Sequence, residues 1–218
     1  MNNWIFLLLV CGKKCNYLKN ILPIFSYLFH PLFISVYAAA FFFILFWDFF
    51  VLQEIYLYMI QIVIITVLIP ISLFYLLLSL GKVDSIMIAQ LSQRKIPLTI
   101  NCILLLILTQ KSITIDRIPE LYFFFFGAFW STILAIIFLI LKVKASLHML
   151  GIAALTFFII ALSSRVELPL LYTVATFITL NGFVASSRLQ MKAHTMFELF
   201  VGFFCGAIPQ FCLWYFWL

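Results

Sequence analysis

The stretch LYFFFFGAFWSTILAIIFLIL, residues Leu121–Leu141, decides the fold of this chain. None of its 21 residues carries a charge, and the apolar residues follow one another without alternating with polar ones. A helix needs about 20 apolar residues to cross a bilayer. A helix also satisfies its backbone hydrogen bonds internally, whereas the strands of a membrane barrel would show alternation. The stretch therefore predicts a membrane-spanning helix in a helical bundle.

The rest of the chain repeats this pattern. Of the 218 residues, 67% are apolar and only 9% are charged, which excludes a soluble domain, where about 25% are charged. The predicted fold is all-α, a polytopic transmembrane bundle of about seven spans or of a six-span core. Pro70 should kink the second span. Besides Leu121–Leu141, the predicted spans are Leu32–Val51, Ile55–Leu80, the short Pro97–Thr109, Leu147–Leu162, Leu168–Ala185 and a last one from His194 to the C-terminus.

Two parts are predicted along the chain, an N-terminal interfacial segment over residues 1–31 and a single helical domain over residues 32–218. The apolar run Trp4–Val10 is too short to span, and no basic residue precedes it as in a signal peptide. The formal charge of +6 indicates contact with anionic headgroups, and no basic run is long enough to bind nucleic acid. The five cysteines show no paired spacing and are expected to stay unpaired. The pattern leaves the oligomeric state open.

Counting the crossings places three charged loops on one side of the membrane, together with the N-terminal lysines. That side holds ten of the 13 lysine and arginine residues, which indicates the cytoplasmic face of a bacterial inner membrane. When the five basic residues of the candidate site are left out, this side holds five lysine and arginine residues and the other side holds three, so the outer face stays an alternative. The loops are Lys82–Lys95, Lys142–Ser146 and Ser187–Lys192.

The stretch Ser187–Glu198 concentrates ionisable groups at the edge of a predicted span. It contains Arg188, Lys192 and His194 besides its final glutamate, and His148 falls on the same side at the start of another span. Ionisable groups are costly at a membrane span, so they indicate function. Histidines among cations suit a phosphate ester. Cations neutralise phosphoryl oxygens, one imidazole can attack phosphorus, and another can protonate the leaving oxygen.

This spacing resembles the type 2 phosphatidic acid phosphatase family, which is related to the vanadium haloperoxidases. The family's third motif is Ser-Arg, five residues, His, three residues, Asp. Ser187, Arg188 and His194 match it, and Glu198 stands in the place of the Asp. This motif is the strongest of three, and the resemblance covers roughly residues 80–206.

The other two motifs are matched in part. Pro-Ser-Gly-His corresponds to Ala145–His148, which keeps Ser146 and His148. The first motif, Lys, six residues, Arg-Pro, corresponds only to Arg94, because the proline is displaced by two positions to Pro97 and the lysine is absent. The family's usual core has no spans between these two motifs, whereas this chain is predicted to insert two.

The chain also resembles a compact group of such membrane proteins from Bacteroidetes. These share a Phe-His-Pro start and an Ala-His-Thr third motif, which are Phe29-His30-Pro31 and Ala193-His194-Thr195 here. No motif of the implied reaction includes His30, so this histidine is expected to be structural.

The resemblance implies an enzyme, a lipid phosphate phosphatase that hydrolyses a phosphomonoester or diphosphate through a phosphohistidine. His194 would be the nucleophile, Glu198 would orient its imidazole, and His148 would be the general acid. The implied partners are membrane lipids and a lipid phosphate substrate, and no metal or other cofactor is implied. The implied phosphate-binding residues are Arg188, Arg94 and Ser146, with Lys95, Lys144 and Lys192 as weaker candidates.

The altered motifs leave a second interpretation open, a catalytically degenerate relative that acts as a lipid-binding or scaffold membrane protein. The missing lysine of the first motif and the Ala145 and Leu147 of the second favour it, as does the Glu198 of the third. The joint presence of His194 and His148 with a binding arginine favours the enzyme.

Overall fold

A computed structural model describes residues 21–83, 91–165 and 170–217, and these fold almost entirely into helices, with no β-strand among them. The all-α prediction is confirmed for this part of the chain. Most of the predicted interfacial segment, residues 1–20, lies outside the described residues, as do Cys11 and Cys15. The helices are α1 (Ile21–Leu28), α2 (Pro31–Leu45), α3 (Leu52–Ser79), α4 (Lys95–Ile107), α5 (Pro119–Ile140), α6 (Leu147–Arg165), α7 (Leu171–Gln190) and α8 (Met196–Trp217).

Four of the described helices, α3, α5, α6 and α8, are long and apolar enough to cross a membrane. Helices α1 and α2 would add a fifth span if they were counted together, although a 69° bend separates them. By the length and composition of these helices, the chain is a multi-pass integral membrane protein. The other two are less suited to a bilayer. Helix α4 has only 13 residues, and the 20 residues of α7 include Thr, Asn, Ser and Arg side chains.

Prolines mark two helix starts and one irregular turn. Pro31 and Pro119 stand at the starts of α2 and α5, where the N–H that proline lacks would have no partner within the helix. The distortion predicted at Pro70 takes the form of a π turn, Ile64–Leu68, within α3. Proline cannot donate to the carbonyl four residues before it, and a wider turn accommodates the lost hydrogen bond.

The predicted end of the first span, Val51, is wrong. Helix α2 ends at Leu45, and a 3-10 turn, Trp47–Phe49, follows before α3 begins. The turn contains Asp48, whose side chain favours turns over helix interiors. The apolar residues around it therefore do not continue the helix.

Helix α6 lies at the centre of the bundle, with 67% of an 18-residue stretch of it buried against the other helices. Helix α8 packs directly against it, because Gly202 and Gly206 bring the α8 backbone against the backbone carbonyls of Ser146 and Leu150. Gly202 and Gly206 are four residues apart, so they lie on one face of α8 and form a small-residue seam between the two helices. Gly151 of α6 faces α2 instead of α8.

An ion pair at one end of the bundle fixes the directions of three helices. Nη2 of Arg165, at the end of α6, lies 3.4 Å from Oε1 of Glu120, at the start of α5. The same guanidinium donates a hydrogen bond to the carbonyl of Trp217, at the end of α8. Helices α6 and α8 therefore run parallel, and α5 runs antiparallel to both. The candidate site lies at the opposite end, where α6 and α8 begin and α5 ends.

Candidate functional site

Two turns of the same shape position the site. Helices α5 and α7 are each followed by a lysine in the left-handed region, Lys142 with φ 63° and Lys192 with φ 51°. In each turn the lysine N–H and the next N–H bond to carbonyls three and five residues earlier, which is the hydrogen bonding of a Schellman motif. Two residues after each left-handed lysine stands a candidate site residue, Lys144 after the first turn and His194 after the second.

His194 and Glu198 form the central pair of the site. Nδ1 of His194 lies 2.9 Å from Oε2 of Glu198, and the two side chains are 3% and 21% exposed. An ionised carboxylate only accepts hydrogen bonds, so Nδ1 carries the proton and Nε2 of the neutral imidazole is free to act as a nucleophile. The glutamate therefore reaches the histidine although the family motif has aspartate. His194 itself precedes α8 rather than lying on a face of the helix.

Thr195 locks this pair to the start of α8. Its backbone N–H donates to Oε2 of Glu198 at 3.1 Å, and its Oγ1 accepts from the N–H of Glu198 at 3.3 Å. This reciprocal pair is a capping box, the Thr-x-x-Glu arrangement that satisfies N–H groups at a helix start. One carboxylate oxygen of Glu198 thus serves both the helix and the histidine.

Three cations lie within electrostatic range of His194, namely Arg94, Lys144 and Arg188. Nζ of Lys144 donates to the carbonyl of Ala193 at 3.0 Å, which ties the loop after α5 to the loop after α7. Nη1 of Arg188 contacts the sulfur of a methionine at 3.8 Å, and its buried Nε has no hydrogen-bond partner among the described residues. Three cations against the one carboxylate of Glu198 leave the site electropositive.

His148, near the start of α6, completes the group of site residues that the structure brings together. Its imidazole interacts with the backbone of Ser26 and lies within electrostatic range of both Arg188 and His194. The ring of His30 stands perpendicular to it, with 5.2 Å between the ring centroids. Both histidines of the implied reaction therefore belong to one cluster.

Ser146 and the two remaining lysines differ in their placement. Ser146 is fully buried, its N–H donates to the carbonyl of Glu198 at 3.1 Å, and its Oγ has no partner within the described part of the chain. Lys192 is exposed at the rim of an open depression of about 430 Å³, which Lys144, His194 and Glu198 also line. Lys95 is exposed and takes no part in the described contacts of the cluster.

The surroundings of His194 favour its neutral form. Burial lowers the pKa of His194 below its ordinary value of 6.5, and the charges of Lys144, Arg188 and Arg94 lower it further, while the hydrogen bond to Glu198 acts in the opposite direction. Burial and the charge of Arg94 likewise lower the pKa of Lys144. The cations therefore repel one another as well as the protonated imidazole, and a bound anion would relieve that repulsion.

Reasoning from the sequence missed three contributors to this cluster. Ser26 lies in the last turn of α1 and His30 lies between α1 and α2, and only the Phe-His-Pro stretch could have pointed to His30. The role of Thr195 could have been predicted, because a threonine three residues before a glutamate is the sequence signature of a capping box.

The fold and the site together define a multi-pass helical membrane protein with a histidine-containing, electropositive site at one end of its bundle. Among the described residues, no group of three or more His, Cys, Asp or Glu side chains is placed to hold a metal ion. Comparison of the chain with protein-family models, with curated proteins and with solved structures found no match.

Proposed function

We propose that the protein is a membrane lipid phosphate phosphatase that hydrolyses a phosphomonoester or diphosphate of a lipid through a phosphohistidine intermediate. The observation that carries the proposal is the hydrogen bond between His194 and Glu198 beside three cations, with His148 in electrostatic range. A nucleophile, an orienting carboxylate, a proton donor and charge neutralisation are the groups that phosphoryl transfer requires. The partial match to the type 2 phosphatidic acid phosphatase motifs supports the same reaction.

The phosphate would bind between the loops that follow α5 and α7. Arg188 would be its principal partner, because a guanidinium offers two parallel donors to phosphoryl oxygens. Arg94 and Lys144 would neutralise the remaining charge. The buried Oγ of Ser146, which has no hydrogen-bond partner within the described residues, would also find one in a phosphoryl oxygen. Lys192 would act from the rim.

Hydrolysis would take two displacements at phosphorus. In the first, Nε2 of His194 forms a bond to phosphorus while the bond from phosphorus to the lipid oxygen breaks, and His148, as an imidazolium, donates a proton to that oxygen and becomes neutral. In the second, His148 takes a proton from water, the resulting hydroxide bonds to phosphorus, and the nitrogen–phosphorus bond breaks. Glu198 stabilises the positive charge on the imidazole in the first displacement, and inorganic phosphate leaves after the second. Water is the only co-reactant.

The proposal includes a seven-span arrangement in a bacterial inner membrane, with α2 to α8 as the spans. Helix α4 and the π turn that follows it extend over residues 95–112, and α7 has 20 residues, so both could cross if their polar ends reach the interface. With seven crossings, one side of the membrane holds the starts of α2, α4, α6 and α8 and the ends of α5 and α7. These are the helix ends that carry the site residues, and a site at the interface suits a lipid-linked substrate.

The test is phosphate release by purified protein from a panel of lipid phosphates that includes phosphatidic acid, a phosphatidylglycerol phosphate and a polyprenyl diphosphate. The matched variants are His194→Gln, which removes the nucleophile, and Lys95→Gln, which removes an exposed cation outside the cluster. We expect wild-type turnover that Lys95→Gln keeps and His194→Gln abolishes. Rapid acid-free quenching with a radiolabelled substrate should trap label on the wild-type chain, since phosphohistidine is acid-labile.

The alternative, a non-catalytic lipid-binding or scaffold protein, predicts a different result. Lipid phosphates would then bind to vesicle-reconstituted protein without releasing phosphate, and His194→Gln would bind as the wild type does. That outcome would contradict the phosphatase and favour the scaffold.

A further inference from the structure

The last turn of α1 and the residues that link it to α2 contact the site, although no step of the proposed reaction uses them. Oγ of Ser26 lies 2.6 Å from Oγ of Ser187, the neighbour of Arg188, and both serines are buried. The backbone of Ser26 interacts with the imidazole of His148. Tyr27 lies within electrostatic range of Arg188. The end of α1 and its link to α2 therefore form one wall of the site.

His30 is held in a defined conformation in the link between α1 and α2, directly before α2 begins. Its φ of −65° and ψ of 138° are extended, as the steric demand of the following Pro31 requires. Its Nδ1 accepts a hydrogen bond of 3.4 Å from the N–H of Leu32, which caps α2. In the neutral imidazole this places the proton on Nε2. Proline and cap together fix the direction in which the ring projects.

The ring of His30 projects toward the ring of His148. The two rings are perpendicular, at 88°, and their centroids are 5.2 Å apart. His148 thus has a neighbour on two sides, the backbone of Ser26 and the ring of His30. A proton donor works only when its N–H is directed at the leaving oxygen, so a ring free to rotate would donate less often.

We infer that His30 is a positioning residue for His148, with its ring keeping the imidazole of His148 turned toward the bound phosphate. The effect on rate rests on the proposed phosphatase function, whereas the contact between the rings does not. The inference gives the Phe-His-Pro stretch a role. Phe29 is buried, Pro31 sets the backbone of His30, and His30 reaches the site.

Three substitutions separate the two contributions of His30. His30→Asn keeps an acceptor suited to the cap and loses the ring. His30→Phe keeps a ring of similar size and loses the acceptor, and His30→Ala loses both. We expect kcat to follow the ring, falling about ten-fold in His30→Asn and His30→Ala and much less in His30→Phe, a small part of the 10²–10⁴-fold that a general acid contributes. KM should stay within about two-fold, because His30 does not touch the phosphate.

The midpoint temperature of thermal unfolding should depend on the N-cap acceptor instead of the ring. We expect His30→Asn to unfold near the wild-type temperature, and His30→Phe and His30→Ala to unfold at lower temperatures. The inference is wrong if kcat follows the cap, so that His30→Asn turns over as the wild type does while His30→Phe is slow. It is also wrong if all three variants keep the wild-type kcat.

A second measurement is independent of turnover. The chain has only three histidines, so the ¹⁵N imidazole signals of selectively labelled protein can be assigned with single variants. We expect one tautomer of His148 with slow N–H exchange in the wild type and in His30→Phe, and mixed tautomers with faster exchange in His30→Asn. An unchanged His148 in His30→Asn would overturn the inference. Absence of turnover by the wild type, with His148 still responding, would instead contradict only the proposed function.

Discussion

Oε2 of Glu198 lies 2.9 Å from Nδ1 of His194, and the same oxygen accepts the N–H of Thr195 at 3.1 Å. The position and the direction of the carboxylate are therefore set by the start of α8 before any substrate arrives. In the proposed reaction, preorganisation of this kind would stabilise the charge that develops on the imidazole, because the carboxylate would need no reorientation. The same arrangement would let Glu198 orient His194 in the position where the family that the chain resembles has an aspartate.

Substitution of Glu198 by Gln should be far more damaging than substitution by Asp. The amide of Gln is neutral and could donate to His194, which would favour the wrong tautomer, and we expect kcat to fall roughly 10²–10⁴-fold, as for other histidine–carboxylate pairs. Asp keeps the charge and an N3 acceptor but is one methylene shorter, so an intermediate kcat is expected. Steady-state kinetics with a soluble short-chain phosphate ester measure both variants. Equal activity of Glu198→Gln and the wild type would contradict the orienting role.

Several features of the site follow from the sequence and others do not. The predicted spans put His148 and His194 at the same end, because the chain is predicted to cross the membrane twice between the two residues. The position of His30 against His148 does not follow, since it depends on a bend of 69° and on packing between helices distant in sequence. Arg94 and Lys95 are neighbours with different placements, because successive residues of a helix project about 100° apart. The left-handed turns were also missed, because lysine rather than glycine occupies them.

Stability should depend on pH through His194. Burial, with the nearby cations, lowers the pKa of His194 in the folded protein below the 6.5 of the unfolded chain. On acidification the unfolded chain therefore binds a proton first, so stability is full above pH 6.5 and falls as the pH drops from 6.5 toward the lowered pKa. One proton contributes a slope of up to about 1.4 kcal/mol per pH unit. Thermal unfolding in detergent at pH 5 to 8 should show a smaller slope for His194→Gln than for the wild type, and equal slopes would contradict the prediction.

Arg188 should govern phosphate affinity, whereas Lys95 should not. Loss of a charge-assisted hydrogen bond costs about 1.5–3 kcal/mol, so Arg188→Gln should raise the inhibition constant of inorganic phosphate roughly ten- to hundred-fold. Lys95→Gln removes the same charge from an exposed position outside the cluster and should change the constant less than two-fold. Binding of phosphate to both variants can be measured by isothermal titration without any turnover. A similar loss in both would indicate a diffuse surface charge rather than a site.

The contact between α6 and α8 should be the most sensitive seam of the bundle, because a methyl group at Gly206 would meet the backbone carbonyl of Leu150. A flexible side chain could move aside, but a helix backbone cannot, so Gly206→Ala must push the two helices apart. Overpacking of this kind typically costs about 1–3 kcal/mol. Gly182 of α7 is the matched control, since a methyl group there has no neighbour within 4 Å, and Gly182→Ala should be neutral or stabilising by roughly 0.5–1 kcal/mol. Thermal unfolding in detergent compares the two. Gly202→Ala presses on the carbonyl of Ser146 in the same way, and because Ser146 lies between Lys144 and His148, this variant should lose phosphate affinity together with stability. Destabilisation of Gly182→Ala equal to that of Gly206→Ala would show that the seam has no special role.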